Sequence, residues 1–172
     1  MLGYIGGGGR GAGDALISGL AERLMAAGLR VAGAVQENRE SEGGGRCEME
    51  LRVLLGDQVV RISQDLGQCA EGCRLDPEGL ERAVGLVEAA LRAEGEARPD
   101  ILIVNKFGKQ EAEGRGFRSL IGLAIAEGIP VLTAVSDGQR AAFEEFAGEL
   151  AVALEPRPEA VIDWLRACVQ AR

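Results

Sequence analysis

The chain has 172 residues and a mass of 18.0 kDa, the size of a single domain. Its 19 basic and 27 acidic residues give a net charge of -8, which opposes attraction to nucleic acid or to an anionic membrane surface. Histidine is absent, so a Ser-His-Asp triad, a Cys-His pair and an imidazole metal ligand are excluded. We therefore expect one α/β domain over residues 1–172, with neither nucleic acid nor membrane as a partner.

The first residues lack the charged region, the apolar segment and the cleavage site of a signal peptide. The longest uncharged stretches, such as residues 119–126, are shorter than the roughly 18 residues that a membrane span needs. These features predict a cytoplasmic protein. The four cysteines are then expected to be free thiols, with no metal site, because their spacing does not match a zinc site; they are Cys47, Cys69, Cys73 and Cys168.

Glycine is the most unusual part of the composition, at 26 residues or about 15% against a usual value of about 7%. An apolar run at residues 1–5 predicts a first strand, and the glycine-rich residues 6–13 that follow predict a loop. Asp14 is a good N-cap, and leucines at helical spacing after it predict a helix that stops at Gly28. The N-terminus therefore reads as strand, glycine loop and helix.

The rest of the chain alternates apolar runs with helical patterns. Residues 29–35 predict a second strand, residues 37–46 a mobile loop, residues 50–54 and 58–62 an antiparallel hairpin, and residues 63–74 a loop. Strands are then predicted at residues 101–104, 131–135 and 150–154, and helices at residues 76–94, 117–127, 137–147 and 158–170. Asp76 is the predicted N-cap of the first of these helices, with Pro77 at its first position, and Asp137 is the predicted N-cap of the third. This alternation predicts a three-layer α/β/α sandwich with a mostly parallel sheet and a small antiparallel hairpin insertion.

The glycine loop is the first candidate site, because backbone N–H groups after a first strand can surround a phosphate-like anion. Aligned to the P-loop pattern G-x-x-x-x-G-K-[ST], Asp14 stands in place of lysine and Ala15 in place of the hydroxyl residue. The alternative is a flexible loop capped by Asp14. The binding residues expected in this loop are Gly8, Gly9, Arg10, Gly11, Gly13 and Asp14.

The segment after the strand at residues 101–104 is the second candidate. Its polar and charged residues include Asn105, Lys106, Lys109 and Arg115, and ligand-binding groups of open α/β sheets gather beyond the carboxyl ends of the strands. We expect these four side chains to contribute to the same anion site. The alternative is that the lysines are solvated surface charges.

Several longer stretches resemble one bacterial family. These are VNKFGKQEAEGRGF followed by a helix and IPVLTAV, with GLRVAGAVQ and DLGQCAEGCRLDP before them. The family resembled is one of unknown function, related to small P-loop nucleoside-triphosphatases, and its members often lie in molybdate-uptake and molybdenum-enzyme gene neighbourhoods. The resemblance implies a P-loop NTPase-like fold.

The resemblance also identifies what is replaced in this chain. In the active nucleoside-triphosphatases the corresponding strand ends in an Asp-Glu pair that holds magnesium and activates water, whereas here those positions are Asn105 and Lys106. Asp14 stands at the P-loop lysine position, so the positive charge of that lysine and the negative charge of the carboxylate pair have exchanged positions in this chain. We expect Asp14 and Lys106 to lie within about 8 Å of each other, since attraction beyond that range in a solvated site is small.

Three functions are compatible with these features. The first is a degenerate P-loop protein that binds a nucleotide or phosphate-like anion with weak or no hydrolysis; no catalytic residue is assigned, and any activity is expected to be that of a nucleoside-triphosphatase. The second is a molybdate- or tungstate-binding accessory protein of molybdenum metabolism. The third is a noncatalytic interaction module. The expected partners are a small anionic ligand, a molybdenum-pathway protein, and a second copy of the chain if the stripe around Trp164 is a dimer face rather than core.

Overall fold

A computed structural model describes residues 1–6, 12–39, 48–64 and 75–170 of the chain. The strands in these ranges are β1 (Leu2–Gly6), β2 (Val31–Arg39), β3 (Glu48–Val53), β4 (Val59–Arg61), β5 (Ile101–Phe107), β6 (Val131–Val135) and β7 (Ala151–Leu154). The α-helices are α1 (Ala12–Ala26), α2 (Pro77–Leu91), α3 (Lys109–Ala112), α4 (Arg118–Ala126), α5 (Arg140–Ala147) and α6 (Pro158–Gln170). None of the helices in the described ranges is long and apolar enough to cross a bilayer.

The seven strands form one sheet in the order β4-β3-β2-β5-β6-β1-β7. The pairs β2–β5, β5–β6, β6–β1 and β1–β7 are parallel. Strands β3 and β4 form an antiparallel hairpin at one edge, and β3 pairs antiparallel with β2. Helices α1 and α6 pack on one face of the sheet, and α2, α4 and α5 pack on the other. The predicted three-layer α/β/α sandwich with a mostly parallel sheet is therefore confirmed.

Strand β5 shows why the sheet is buried on both faces. Its first four residues are at most 1% exposed, and alternate side chains enter different layers of the core. Ile101 and Ile103 pack towards α1, whereas Leu102 and Val104 pack towards α2 and α4. A continuous apolar run is what a strand covered by helices on both sides requires.

Two strands are longer than the sequence pattern predicted. Strand β2 continues to Arg39 because residues 37–39 pair with residues 48–50 of β3, so the expected mobile loop does not begin at Glu37. Strand β5 continues to Phe107, which pairs with Val135 after a register shift. Asn105 and Lys106 are consequently strand residues and not loop residues.

The helix boundaries agree with the sequence in part. Asp76 caps α2 through a hydrogen bond from the Glu78 backbone N–H, with proline at the first helical positions, as predicted. The prediction that Asp14 is an N-cap was wrong, because α1 begins at Ala12 and Asp14 lies in its first turn. The predicted cap at Asp137 was also wrong, since Asp137 belongs to a short 3₁₀ turn that precedes α5.

The Trp164 stripe packs against the sheet. Val161 and Leu165 are at most 3% exposed in the core between α6 and the sheet, and Trp164 is partly buried beside them. A Cβ atom at Gly3 of β1 would lie 2.9 Å from the indole ring, so the ring occupies the space above that glycine. Of the two alternatives for this stripe, the core is the one observed.

Strands β1 and β6 mark a topological switch point in the sheet. They are neighbours, but the chain leaves β1 into α1 on one face and leaves β6 into α5 on the opposite face. The two connections separate and leave a crevice at the carboxyl ends of these strands, the place where open α/β sheets bind ligands. The glycine-rich segment begins at this crevice.

Gly33 in β2 tests how tightly the centre of the sheet is packed. Its φ is +127°, and an added Cβ would overlap the carbonyl oxygen of Ile103 in β5. We expect Gly33→Ala to lower the free energy of unfolding by at least about 3 kcal/mol, measured by urea denaturation.

Gly19 supplies the matched control. It lies on the exposed side of α1, and an added Cβ would meet nothing within 4 Å. Gly19→Ala should therefore stabilise the protein by about 0.5–1 kcal/mol through helix propensity alone. Equal effects of the two substitutions would contradict the close approach of β2 and β5.

Candidate functional site

Asp14 is the centre of a polar cluster at the carboxyl edge of the sheet. Asn105 Nδ2 donates a hydrogen bond to Asp14 Oδ1 at 2.8 Å, and Lys106 Nζ lies 3.3 Å from Asp14 Oδ2. The Asp14 side chain is only 16% exposed. The predicted approach of Asp14 and Lys106 is therefore confirmed, at a distance well inside the expected limit.

The strand order explains this contact between residues that are 91 positions apart. Strands β1 and β5 both pair with β6, so their carboxyl ends are separated by one strand. Helix α1 starts after β1 and packs across β6, β5 and β2, which places its first turn above the end of β5. Asp14 consequently faces the two polar residues that follow the apolar run of β5.

The two partners of Asp14 contribute differently. Lys106 is 46% exposed, and an ion pair at such a site contributes about 0–1 kcal/mol. Asn105 is 4% exposed, and its hydrogen bond to a carboxylate is of the stronger, charge-assisted kind. Asn105 Oδ1 is buried without a hydrogen-bond partner among the described residues, so a bound water or a ligand donor would complete this group.

The chemistry of the cluster disfavours a divalent cation. Magnesium is held by oxygen ligands such as carboxylates and hydroxyls, and here a single carboxylate is neutralised by an ammonium group. The described residues contain no group of three or more His, Cys, Asp or Glu side chains that could hold a metal ion. Asp14, Asn105 and Lys106 form a locally neutral cluster instead.

Arg140 is a site residue that the sequence analysis missed. It opens α5, and its Nη1 donates a hydrogen bond to Tyr4 Oη at 3.1 Å while the guanidinium lies 5.4 Å from the Tyr4 ring centre. A Cβ at Gly6 would collide with Arg140 Nη2, so the guanidinium lies against the backbone at the end of β1. A cation is thus held at the switch point, where the glycine-rich segment begins.

Lys109 and Arg115 do not join the cluster at Asp14 in the described part of the chain. Lys109 Nζ lies 3.7 Å from Glu113 and is 74% exposed. Arg115 donates to Gln110 Oε1 at 2.9 Å and also pairs with Glu113. Both side chains make these contacts within the segment after β5, and for Lys109 this matches the alternative of a solvated surface charge.

The remaining predicted residues are placed as follows. Gly13 lies in the first turn of α1 next to β6, where an added Cβ would be 3.4 Å from Ala134 Cβ. Cys168 is buried in α6, and its thiol lies 3.5 Å from Met1 Sδ. The predicted residues that lie outside the described part of the chain are Gly8, Gly9, Arg10, Gly11, Cys47, Cys69 and Cys73.

Glu111 is a second residue that the sequence analysis did not single out. Its carboxylate is 5% exposed and accepts hydrogen bonds from the backbone N–H groups of Gly108 at 2.9 Å and Phe117 at 3.1 Å. A Cβ at Gly116 would collide with this carboxylate. Glu111 therefore fixes the fold of the segment between β5 and α4, and a glutamate three residues after Gly108, in a capping arrangement, was the available signal.

The sequence profile of one protein family matches residues 3–164. This family is described as protein of unknown function, DUF2478. The chain belongs to the DUF2478 family. The resemblance noted from its motifs is therefore confirmed at the level of the family.

A curated relative of this DUF2478 chain is the molybdenum import ATP-binding protein ModC 2 of Bradyrhizobium diazoefficiens. The two are 37% identical over 153 residues, which are 89% of this chain and 17% of the relative. The chain thus spans about a sixth of the length of the curated relative it matches.

A solved structure also matches the DUF2478 chain. The crystal structure of THEP1 from the hyperthermophile Aquifex aeolicus superposes with a TM-score of 0.64 and 20% sequence identity, covering 97% of this chain and 96% of that one. At this identity the likeness establishes the fold alone. The fold is the P-loop NTPase-like α/β fold that the sequence predicted.

Double-mutant cycles measure the interaction free energy of Asp14 with Asn105 and with Lys106 separately. For Asp14→Ala and Asn105→Ala we expect a coupling of about 1.5–3 kcal/mol, because a charge-assisted hydrogen bond with a buried partner is lost. For Asp14→Ala and Lys106→Ala we expect at most about 1 kcal/mol. A larger coupling to Lys106 than to Asn105, from urea denaturation of all variants, would contradict this division.

Proposed function

We propose that this DUF2478 protein binds a nucleotide or a phosphate-like anion at the glycine-rich segment after β1 and hydrolyses it weakly or not at all. The observation that carries the proposal is the contact of Asp14 with Asn105 and Lys106. By the resemblance of the sequence, these three residues stand where active P-loop nucleoside-triphosphatases carry a lysine and two carboxylates.

Two features support anion binding. The glycine-rich segment begins with Gly6 at the switch point and precedes α1 in the chain, a helix of 15 residues whose N-terminal dipole favours negative charge. Arg140 adds a guanidinium at Gly6, close to where that segment begins. The positive charge that a P-loop lysine would supply from α1 thus has a counterpart at the start of α5.

Two features argue against efficient hydrolysis. A P-loop lysine and a magnesium ion neutralise the developing charge of phosphoryl transfer, and Asp14 adds negative charge at the lysine position. Asn105 and Lys106 put a neutral amide and a cation where the two carboxylates would be, so neither supplies an anionic magnesium ligand or a carboxylate base for the attacking water. Binding without rapid turnover is the function that these residues support best.

The nucleotide proposal is tested by thermal shift with ATP, GTP, ADP and AMP, each with and without magnesium. A ligand at about a hundred times its Kd adds about 2.7 kcal/mol, which raises Tm by several degrees. We expect a shift with nucleotide that magnesium leaves unchanged, and a turnover well below about one per second. Magnesium-dependent binding or a turnover of about one per second or faster would overturn the proposal.

Arg140 gives the proposal a residue-level test. Arg140→Gln should weaken nucleotide binding about tenfold, the effect of losing one charge-assisted contact of about 1.4 kcal/mol. Arg157→Gln removes the same charge from a residue that is 63% exposed and paired with Glu155, so it should leave binding unchanged. Equal losses in both variants, measured by calorimetric titration, would show a general charge effect and remove Arg140 from the site.

A molybdate or tungstate site is the second candidate function. The observation that favours it is the name of the relative that is 37% identical over 153 residues, a molybdenum import ATP-binding protein. A tetrahedral dianion suits the same backbone N–H groups and arginine as a phosphate group. Stabilisation by molybdate or tungstate but not by sulfate, in the same thermal-shift panel, would support this function over the first.

The remaining expectations stay predictions. No shift with any member of the panel would favour a noncatalytic interaction module, with a molybdenum-pathway protein or a second copy of the chain as partner. Cytoplasmic localisation and the absence of nucleic-acid and membrane partners are likewise untested expectations from charge and composition.

A further inference from the structure

A cavity of about 160 Å³ lies at the carboxyl edge of the sheet, on the face that carries α2 and α4. Its walls are side chains of β2, β3 and β5 and of the elements packed on them. These wall residues are apolar, and six of them are Ala34, Leu51, Ile62, Leu80, Val104 and Phe117. Asp14 is not among the residues that line this space, although its partners Asn105 and Lys106 are.

The polar lining contains two cations, one carboxylate and three neutral side chains; they are Lys106, Lys109, Glu111, Gln36, Asn105 and Gln110. Lys106 and Lys109 both line the cavity, with Gln110 beside them. These are the two lysines of the whole sequence; the other 17 of its 19 basic residues are arginines. Both lysine side chains are exposed, at 46% and 74%, and their ion pairs with Asp14 at 3.3 Å and Glu113 at 3.7 Å are solvent-accessible pairs of small energy. Their ammonium groups are therefore free to turn towards an anion at low cost.

The segment that closes the cavity is held in one conformation. Glu111 lines the cavity, but both of its carboxylate oxygens accept hydrogen bonds from backbone N–H groups, at Gly108 and at Phe117. Arg118 Nη1 donates to the Glu111 carbonyl oxygen at 3.1 Å and stacks on Phe146 with 4.4 Å to the ring centre. The wall is thus preorganised, which lowers the entropic cost of filling the cavity.

We propose that this cavity binds a small molecule with an apolar ring and an acidic substituent, the ring among the aliphatic walls and the acid beside Lys106 and Lys109. An engineered apolar cavity of about 150 Å³ takes up benzene, so this space matches a single six-membered ring. The walls bury the ring and the two ammonium groups face the acid. The ligand is therefore a small organic acid and not a bare inorganic anion, which would leave the apolar walls empty.

Three probes separate the ring from the charge. Benzoate carries both, benzamide keeps the ring and the shape without the charge, and acetate keeps the charge without the ring. We expect benzoate to bind about tenfold more tightly than benzamide and acetate, measured by protein NMR titration, since a contact with a charged group contributes about 1.4 kcal/mol or more. Equal binding of benzoate and benzamide, or of benzoate and acetate, would overturn the proposal.

Two variants locate the binding. Ala34→Leu fills the cavity from β2 and should weaken benzoate binding at least tenfold. Lys109→Gln changes an exposed side chain without touching the core, so it keeps the test available if the first variant does not fold; it should weaken benzoate binding about threefold and leave benzamide binding unchanged. Arg166→Gln is the charge control, because Arg166 is 72% exposed and paired with Asp163 on α6, across the sheet.

The two lysines allow an independent measurement. Amine-selective acylation followed by mass spectrometry should show that benzoate slows the modification of Lys106 and Lys109 relative to the N-terminal amine. Benzoate binding that Ala34→Leu leaves unchanged, or that Arg166→Gln weakens as much as Lys109→Gln does, would refute the site. None of these experiments contains a nucleotide, so a failure here leaves the proposed anion site at β1 standing.

Discussion

The parallel pairing of both β1 and β5 with β6 is the constraint on which the rest of the site depends. It sets the ends of two strands that are distant in sequence at a fixed separation of one strand, and α1 bridges them. A carboxylate in the first turn of α1 then has to face the residues that follow the apolar run of β5. The polar residues at the sheet edge are consequently one interacting group.

The same edge carries two environments that differ in character. On the side of α1, Asp14, Asn105 and Lys106 form a nearly neutral polar group, and Asp14 directly follows the glycine-rich segment in the chain. On the side of α2 and α4, the lining is apolar with lysines at its margin. Lys106 belongs to both environments, because it pairs with Asp14 and lines the cavity. If its ammonium group turns towards a ligand in the cavity, it moves away from Asp14. Binding events on the two sides of the sheet would for this reason be energetically coupled.

Local signals in the sequence were enough for the layers and for one tertiary contact. The Asp76-Pro77 start of α2 and the buried run in β5 have a single physical interpretation each, and the exchange of charge at Asp14 and Lys106 indicated that the two side chains meet. The carboxyl-terminal ends of β2 and β5 could not be predicted from local sequence, because they are set by pairing with residues of β3 and β6. Arg140 was missed for a related reason: its importance follows from β6 lying beside β1, and strand order leaves no local trace in the chain.

The packing of Trp164 on Gly3 has an optical consequence. The chain contains one tryptophan, and its indole ring rests on β1 three residues before the strand ends at Gly6. Tryptophan emission responds to the polarity and rigidity of its surroundings. A shift of β1 against α6 is therefore expected to change the fluorescence of Trp164, the one tryptophan of the chain. The protein therefore carries an intrinsic fluorophore packed against the strand that precedes the glycine-rich segment, and movement of that strand on ligand binding can be followed without a label.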